Sequence, residues 1–504
     1  MKNFLAFDLG AESGRATLGA LDDGKLTLRE LHRFPNQPVR LATGLYWDTL
    51  RLFHEILQGM TVAGREKLPI EGIGIDTWGV DFALLGQDGA LIDNPRHYRD
   101  TRTAGVMEKT FEVVPRREIF EQTGIQFMEL NTLYQWYAMR LQHSPALKTA
   151  ARLLFMPDLF NYWLTGVERN ELTIASTSQF YNPRQKRYAT EILDRLDLPS
   201  AVLPEIADPG TRLGTVLPVV GETTGLAGTP VYATACHDTA SAVAAVPAEG
   251  GDWCYISSGT WSLMGVEIDK PVINQRALEL NVTNEIGVEG RVRLLKNIAG
   301  LWVLQECRRE WALGGRDHSY EELTKAAAEA KPFTAVLDPD AFLQPGYMPV
   351  KIMTYCKAAG QKVPQTAGEI CRTILESLAL RYRRVLESLE ELLHRRLPVI
   401  HIVGGGSRNA LLNQFVADAT ERVVVAGPQE ATAAGNVLVQ AIGAGLLDGL
   451  GAAREMVRRS FAVTKFEPHG SARESAGWEE AYQRFLALPA VKLNTGKSSG
   501  NVPQ

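Results

Sequence analysis

The residues best suited to chemistry in this chain lie near its midpoint, in the run 234–243 (TACHDTASAV). A short apolar strand at 231–233 precedes this run, and small residues with helical spacing follow it. A strand that leads into a helix presents its polar residues at the carboxyl edge of a sheet, where open α/β folds bind ligands. Asp238 could therefore take a proton from a substrate hydroxyl, although the same residue could equally serve only to cap the helix.

A second candidate lies at the start of the chain, where residues 4–20 read FLAFDLGAESGRATLGA. An apolar strand that carries Asp8 is followed by a small, glycine-bearing turn and a second apolar strand, which is the pattern of a β-hairpin. The backbone N–H groups of such a turn can approach a phosphate closely, and an acid just before it can hold Mg²⁺ directly or through water. A plain hairpin with a solvated aspartate is the alternative.

Residues 70–85 (IEGIGIDTWGVDFALL) form a third candidate, because another strand ends there in polar residues. Carboxylates bind sugar hydroxyls, and Trp78 could pack on a sugar face or belong to the core. The polar loop 97–102 (HYRDTR) could face the same cleft, through Arg99 and Asp100 in particular. A further polar region could be lined by Gln126, Asn131, Thr132 and Gln135.

The opening of the chain recurs in its second half, which indicates an internal duplication. Residues 253–265 (WCYISSGTWSLMG) repeat the strand, turn and strand of the first hairpin, with Ser257 in the place of Asp8. Residues 399–409 (VIHIVGGGSRN) repeat the strand-then-glycine pattern of the third candidate. We therefore predict two related units of strands and helices with a cleft between them.

The remaining segments surround this cleft. Residues 369–396 place apolar side chains at three- and four-residue steps, which is typical of a long amphipathic helix in the core. The hydroxyl-rich residues 173–179 indicate a loop or an exposed edge, and the proline-punctuated residues 337–361 indicate a surface insertion. The glycines at 404–406 open a helix whose N-terminus can face phosphate, and the small-residue helix at 430–436 could pack against it.

Composition indicates an ordinary globular chain with two or three domains, since 45% of its 504 residues are hydrophobic and 22% are charged. The net charge of −5 argues against a nucleic-acid surface. We find no signal-peptide pattern, no apolar run long enough to span a membrane and no CxxC pair among five cysteines. We expect a cytoplasmic protein, with no nucleic-acid or membrane partner and with a disordered tail from residue 493.

Five of these motifs, taken together and in order, resemble those of the FGGY carbohydrate kinases. They are residues 8–15 (DLGAESGR), 74–81 (GIDTWGVD), 237–241 (HDTAS), 257–262 (SSGTWS) and 404–406 (GGG). The resemblance extends over nearly the whole chain and implies an α/β protein of the actin-like (ribonuclease H-like) ATPase fold, with two duplicated domains around a central cleft. The implied divisions are an N-terminal sugar-binding domain, a C-terminal nucleotide-binding domain and a C-terminal helix with the tail, at residues 1–245, 246–467 and 468–504.

The same resemblance implies ATP-dependent phosphorylation of a sugar, with Mg²⁺. The runs 295–302 (LKNIAGLW) and 338–340 (DPD) are most similar to family members that convert L-rhamnulose into L-rhamnulose 1-phosphate in L-rhamnose catabolism. Asp238 matches the proton acceptor of the family, and Asp8 matches the acid near Mg²⁺. The positions that match sugar-binding residues are Gly79, His237, Asp238, Thr239 and Asn297. The positions that match nucleotide-binding residues are Ala11, Glu12, Ser13, Gly14, Arg15, Thr260, Gln305 and Gly405.

Glu12 departs from the family pattern, because many relatives carry Thr-Thr or Thr-Ser where this chain has Ala11 and Glu12. An acid beside phosphates is unfavourable unless it points away or helps to hold the metal. A six-deoxy sugar also needs an apolar site for its methyl group, which the sequence does not locate. The alternatives are a kinase for L-fuculose, a xylulose or glycerol and, in another class, an actin-like chaperone ATPase. A monomer or a homodimer is expected.

Overall fold

The computed structural model describes residues 1–470, 472–489 and 491. The tail predicted to be disordered from residue 493 lies outside the described residues. The described chain is an α/β protein with one large mixed sheet in each half and helices on the faces of both sheets.

The first half begins with a hairpin and ends with a short helix that carries Asp238. Its strands are β1 Lys2–Leu9, β2 Ser13–Asp22, β3 Lys25–Pro35, β4 Val39–Leu41, β5 Gly44–Tyr46, β6 Ile70–Thr77, β7 Phe82–Leu85, β8 Arg152–Phe155, β9 Asn170–Glu171, β10 Tyr181–Asn182, β11 Arg187–Tyr188, β12 Ile206–Ala207, β13 Thr211–Thr215 and β14 Pro230–Ala233. Its helices are α1 Thr49–Arg65, α2 Val106–Val113, α3 Arg116–Thr123, α4 Thr132–Leu141, α5 Ala146–Thr149, α6 Met156–Thr165, α7 Leu172–Ala175, α8 Thr190–Arg195, α9 Pro218–Thr224 and α10 Asp238–Ala244.

The second half begins with another hairpin and includes the longest helix. Its strands are β15 Trp253–Ser258, β16 Ser262–Ile268, β17 Thr283–Ile286, β18 Val292–Ile298, β19 Val399–Val403, β20 Val423–Ala426 and β21 Thr464–Phe466. Its helices are α11 Gln275–Leu280, α12 Trp302–Leu313, α13 Tyr320–Glu329, α14 Met348–Ala358, α15 Ala367–Leu393, α16 Ala410–Thr420, α17 Ala431–Gly443, α18 Gly449–Ser460 and α19 Ala472–Leu486.

The two large sheets share one arrangement, so the predicted duplication is present in the structure. The first sheet has the order β13-β14-β6-β1-β2-β3, and the second has the order β17-β18-β16-β15-β19-β20-β21. In the first sheet β1 is antiparallel to β2 and parallel to β6, which is parallel to β14. In the second sheet β15 is antiparallel to β16 and parallel to β19, which is parallel to β20. Parallel strands end at one edge, so each half brings its polar strand ends together there.

Two helices from the two halves cross at the centre of the molecule. An ideal Cβ on Gly435 of α17 would lie 1.7 Å from the backbone oxygen of Ser241 in α10, so the two backbones are in contact there. Asn436 donates from Nδ2 to Oδ2 of Asp76 at 2.5 Å, and Gln440 donates to the backbone oxygen of Leu5 at 3.2 Å. The small-residue helix thus packs against α10 and the first sheet, whereas the sequence predicted that it would pack against the helix that follows the glycine run.

Two segments that the sequence placed at the surface contribute side chains to the core. Residues 173–179 form the end of α7 and a short 3₁₀ helix, Ser176–Ser178, whose hydroxyls are satisfied by nearby backbone carbonyls. Residues 337–361 include α14, whose Ile352, Tyr355 and Cys356 are buried in the core. The first prediction was wrong because hydroxyls were interpreted as signs of exposure. The second holds in part, since most of residues 337–361 are exposed or half-buried and one face of α14 enters the core.

The long-helix prediction is confirmed by α15. Thr366 and Glu369 form a capping box at its N-terminus, each side chain accepting a hydrogen bond from the backbone of the other. The predicted apolar stripe, which includes Ile374 and Leu378, is buried. All five cysteines are buried and free, and within the described ranges no helix is both long and apolar enough to cross a membrane.

Candidate active site

A cleft of about 370 Å³ lies between the two halves, at the edge where the parallel strands end. It is lined by thirteen of the fourteen residues that the sequence singled out, and the remaining one is Gly14. An ideal Cβ on Gly14 would lie 2.3 Å from the Phe34 ring, so this glycine makes room for a core aromatic. Those residues that line the cleft are Asp8, Ala11, Glu12, Ser13, Arg15, Gly79, His237, Asp238, Thr239, Thr260, Asn297, Gln305 and Gly405.

Asp238 is the first residue of α10, and 29% of its side chain is exposed to the cleft. Its Oδ1 accepts hydrogen bonds from the backbone nitrogen of Thr239 at 2.5 Å and from the Thr239 hydroxyl at 3.1 Å. Nε2 of His237 lies 3.4 Å from the same oxygen. Burial raises the pKa of the Asp238 carboxyl, and the negative charge of Asp8 adds to this shift while His237 opposes it. A carboxylate with a raised pKa is a better proton acceptor.

The turn that carries Asp238 is anchored by two residues that the sequence did not reveal. Glu171 accepts the backbone N–H of Cys236 at 3.1 Å, and the Thr173 hydroxyl accepts that of His237 at 3.1 Å. Burial raises the pKa of Glu171 to about 7, although the hydrogen bonds it accepts lower it. Because Glu171 lies 65 positions from Cys236, no local pattern in the sequence could have linked them.

Near His237 and Asp238, the lining of the cleft combines polar and apolar side chains. An ideal Cβ on Gly79 would lie 3.4 Å from Nε2 of His237, so the missing side chain leaves the space in front of the imidazole open. The backbone nitrogen of Asn297 donates to Oε1 of Gln126 at 2.9 Å, and Nδ2 of Asn131 donates to the Gln126 backbone oxygen at 2.8 Å. The apolar part of the lining includes Ile125, Met128 and Leu130.

Asp81 organises the aromatic wall of the cleft. Its Oδ2 accepts hydrogen bonds from Nε1 of Trp47 at 2.6 Å and from Nε1 of Trp78 at 3.0 Å, and its Oδ1 accepts one from Gln135 at 2.8 Å. Burial raises the pKa of Asp81 to about 6, against the effect of these hydrogen bonds. Trp78 is therefore a core aromatic that also lines the cleft, and its packing on a sugar stays a prediction.

Arg99 connects the two halves beside the cleft, although it does not line the cleft as the polar-loop hypothesis anticipated. Its guanidinium lies 3.8 Å from the ring centre of Trp302 and donates a hydrogen bond to the backbone oxygen of Leu343. Asp100 in the same loop is buried and accepts from the backbone nitrogen of Leu45 at 2.7 Å, so it supports the loop and does not line the cleft.

The first hairpin brings a carboxylate and an arginine together at the cleft. Arg15 donates to Oδ2 of Asp8 from Nε at 3.0 Å and from Nη2 at 2.7 Å, and it also pairs with Glu430 of the other half. Both hydrogen bonds end on Oδ2, so Oδ1 is the oxygen of Asp8 that fits a metal ion. In residues 1–470, 472–489 and 491 no group of three or more His, Cys, Asp or Glu side chains could hold a metal, whereas Mg²⁺ commonly uses one protein carboxylate with substrate phosphates.

Glu12 points towards the second half of the molecule. Nη2 of Arg309 lies 3.7 Å from its Oε1. Burial raises the pKa of Glu12, and the charge of Glu306 adds to this shift while Arg309 lowers it. Glu12 therefore has a cationic partner at the cleft, and its relation to phosphates stays a prediction.

The second half contributes glycines, hydroxyls and an amide to the cleft. Oε1 of Gln305 and Oγ of Ser258 are buried, line the cleft and have no hydrogen-bond partner among the described residues, so each can accept a hydrogen bond from a ligand. No heavy atom lies within 4 Å of an ideal Cβ on Gly405, whereas one on Gly406 would lie 2.0 Å from Oγ of Ser258. Gly405 thus leaves open space at the cleft, which suits a flat base or a phosphate next to the backbone.

Comparison with known proteins places this geometry in one family. The N-terminal domain model of the FGGY family of carbohydrate kinases matches residues 3–245, and the C-terminal domain model matches residues 254–444. A rhamnulokinase of Bacteroides thetaiotaomicron is 46% identical, with 96% of this chain and 99% of that protein covered. A rhamnulokinase of Pectobacterium carotovorum subsp. carotovorum is 41% identical, with 97% of each covered.

Solved structures of similar architecture have much lower identity. The gluconate kinase of Lactobacillus acidophilus superposes with a TM-score of 0.79 at 16% identity and covers 96% of this chain and 97% of its own. The Plasmodium falciparum glycerol kinase with ADP superposes with a TM-score of 0.77 at 16% identity, with 96% of this chain and 98% of its own covered. These neighbours confirm the predicted fold class.

Proposed function

The chain belongs to the FGGY family of carbohydrate kinases, and from that premise we propose that it transfers the terminal phosphoryl group of ATP to L-rhamnulose, giving L-rhamnulose 1-phosphate. The observation that carries this proposal is the 46% identity to a rhamnulokinase over 96% of the chain. Proteins named gluconate, xylulose and glycerol kinase share the fold at 14–19% identity, which supports the fold alone.

Asp238 is the proposed general base. Phosphoryl transfer needs positioning and neutralisation of charge more than covalent chemistry by the protein. The carboxylate is held by Thr239 and faces the cleft, so it can orient the attacking primary hydroxyl and accept its proton. Gly79, His237, Thr239 and Asn297 are proposed to bind the sugar, and the apolar lining at Ile125, Met128 and Leu130 is proposed to accept its methyl group.

Asp8 is the proposed ligand of a Mg²⁺ ion that, when bound with ATP, neutralises the charge that develops on the transferred phosphate. Its Oδ2 is fixed by Arg15, which leaves Oδ1 directed to the metal. Arg15 also spans to Glu430 in the second half, so it is proposed to keep the hairpin turn in position across the cleft.

The nucleotide is proposed to lie between the two hairpins. Ala11, Glu12, Ser13 and Arg15 line this part of the cleft from the first half, and Thr260, Gln305 and Gly405 line it from the second. Gly14 is proposed to serve the nucleotide indirectly, by letting the turn pack on Phe34. Glu12 is proposed to act through its ion pair with Arg309 and not as a direct phosphate contact. Closure of the two halves would exclude water and limit wasteful hydrolysis of ATP.

The test is ADP release with Mg²⁺-ATP and a panel of L-rhamnulose, L-fuculose, L- and D-xylulose, L-ribulose and glycerol. We expect a strong response to L-rhamnulose alone. A preference for another sugar would keep the fold and the chemistry but refute the substrate. Steady ATP hydrolysis that no sugar stimulates would refute the kinase and favour a chaperone-like ATPase.

Three further expectations accompany this proposal. The domain boundaries at residues 245 and 467 can be tested by limited proteolysis followed by mass spectrometry. The monomer or homodimer can be distinguished by size-exclusion chromatography with light scattering. A cytoplasmic location can be tested by cell fractionation.

A further inference from the structure

A fully buried arginine lies behind the sugar side of the cleft, where the sequence suggested no function. Arg293 belongs to β18, and none of its side-chain surface is exposed. One of its nitrogens, Nη2, lies 3.1 Å from Oε2 of Glu285 and 3.1 Å from Nδ1 of His237. A buried charge is expensive unless it is paired and hydrogen-bonded, so this arrangement requires an explanation beyond packing.

The position of the hydrogens follows from the chemistry of the three groups. A guanidinium carries hydrogens on every nitrogen and cannot accept a hydrogen bond. Nη2 of Arg293 has two hydrogens and also lies 3.3 Å from the backbone oxygen of Ile286, but that oxygen accepts from Nε of Arg293 at 3.3 Å as well. The two Nη2 hydrogens therefore suffice for the shorter contacts, one to Glu285 and one to Nδ1 of His237. If Nδ1 accepts that bond, the proton of a neutral imidazole must be on Nε2, because the bond at one ring nitrogen determines the state of the other.

Glu285 has the opposite effect on His237, because it favours the tautomer with the proton on Nδ1. Its Oε2 lies 3.3 Å from Nδ1 of His237, compared with 3.1 Å for Nη2 of Arg293. A carboxylate at this distance favours a proton on Nδ1. Burial on its own would raise the pKa of Glu285, but its nearness to the His237 ring and the charge of Arg293 outweigh this effect, so the net pKa is lowered and the carboxylate stays ionised beside the guanidinium. Without Arg293, an ionised carboxylate would be the only strong partner of Nδ1 in this group.

We propose that Arg293 is a positioning residue that holds His237 in the tautomer with its proton on Nε2. That nitrogen lies 3.4 Å from Oδ1 of Asp238 and faces the space left open by Gly79. An Nε2–H can donate both to Asp238 and to an oxygen of the acceptor sugar, whereas the other tautomer would turn a lone pair towards the carboxylate. The inference rests on the proposed function for its catalytic consequence, but not for the tautomer itself.

The test is the tautomer of His237, measured by ¹⁵N NMR of the full-length protein labelled at histidine, with the signal assigned from a His237→Gln variant. We expect the Nε2–H form in the parent protein. In Arg293→Met, a variant of similar length without a guanidinium, the proton should move to Nδ1, because Glu285 is then its partner. In Glu285→Gln the Nε2–H form should persist.

The same variants are compared in turnover with L-rhamnulose. Arg293→Met should lower kcat by about 10- to 100-fold, the loss expected when one hydrogen bond at the reacting centre is misaligned, and Arg293→Lys should recover part of it. The matched control is Arg372→Met, which breaks another buried arginine–glutamate pair, with Glu376 at 2.7 Å, away from the cleft. It should lower stability and leave the tautomer and kcat unchanged.

A parent protein with the proton on Nδ1, or with both nitrogens protonated, overturns the inference even if the arginine variants do not fold. The same tautomer in the parent and in Arg293→Met overturns it as well. Failure of the proposed function is a separate outcome, because the parent would then not respond to L-rhamnulose whatever the tautomer of His237.

Discussion

The two halves of the molecule have sheets of the same arrangement, but the residues at the strand ends differ in chemical type. In the first half β1 carries Asp8 at its end, β6 carries Asp76, and the helix after β14 begins with Asp238. At the matching ends of the second half, β15 carries Ser257 and β19 leads into Gly404. The proposed function thus assigns a different task to each half: the acidic half is proposed to act on a hydroxyl and a metal, and the glycine half is proposed to hold the nucleotide next to the backbone.

The same comparison explains the fully buried Asp76. Burial raises the pKa of Asp76 well above its usual value, and the charges of Asp8 and Asp238 add to the shift. Asn436 of α17 donates a hydrogen bond to it from the second half. The closeness of Asp8 and Asp238 therefore favours the protonated form of Asp76. The hydrogen bond from Asn436 connects this edge to the other half, near the point where the two central helices cross.

The largest effect should come from removing the base of the acidic half. Asp238→Asn keeps the shape of the side chain and its contact with Thr239 but cannot accept a proton. General base catalysis contributes about 10² to 10⁴-fold, so we expect kcat to fall by that factor in an ADP-release assay, with an unchanged melting temperature. Near-parent kcat in this variant would remove Asp238 from the mechanism.

The next effect concerns the metal. Asp8→Asn should lower kcat/KM by roughly 10²-fold, because a Mg²⁺ ligand contributes several kcal/mol to charge stabilisation, and more Mg²⁺ should be needed for half-maximal activity. The control is Asp22→Asn, at the exposed end of the same hairpin. An unaltered Mg²⁺ dependence in Asp8→Asn would indicate that the metal is held elsewhere.

The crossing of the central helices can be tested by a pair of glycine variants. Gly435→Ala would place a Cβ against the backbone oxygen of Ser241, and overpacking of this kind costs about 1–3 kcal/mol. Urea denaturation should show this loss in the free energy of unfolding. Gly405→Ala, where a Cβ meets open space, should leave stability unchanged, and equal losses in both variants would argue against a tight crossing.

The smallest expected effect is the response of the parent enzyme to acid. Since the folded-state pKa of Asp238 is raised, its carboxyl should become protonated, and kcat/KM should decrease, at a higher pH than for an ordinary aspartate. Protonation removes the proton acceptor, so activity is present above this pKa and lost below it. A kcat/KM profile that stays flat down to pH values near the ordinary range would contradict the shift.

Much of this comparison could be predicted from the sequence, because it depends on local patterns. Apolar strands that end in Asp8, Ser257 or a glycine run are visible in a few residues, and so is a helix that begins at Asp238. These patterns sufficed for the duplicated α/β fold and for Asp8 and Asp238 at the cleft, whereas positions such as Gln305 and Asn297 came only from the resemblance to the family.

The supports of the site could not be predicted, because they join residues that are distant in the chain. Glu171 holds the backbone of Cys236, and Arg293 contacts His237 56 positions away. A charged residue on a short strand has no local pattern that distinguishes burial from exposure. The hydroxyl-rich run 173–179 was misjudged for a different reason, since its hydroxyls donate to backbone carbonyls three residues earlier and need no water.

The most direct test of the division between the halves is the affinity for Mg²⁺-ATP, measured by isothermal titration calorimetry in Asp238→Asn and in Gly405→Val. The account predicts that Asp238→Asn binds the nucleotide within about twofold of the parent despite its loss of turnover, whereas Gly405→Val, which fills the open space, binds it at least about tenfold more weakly. Equal losses of affinity in both variants, or a loss confined to Asp238→Asn, would contradict it.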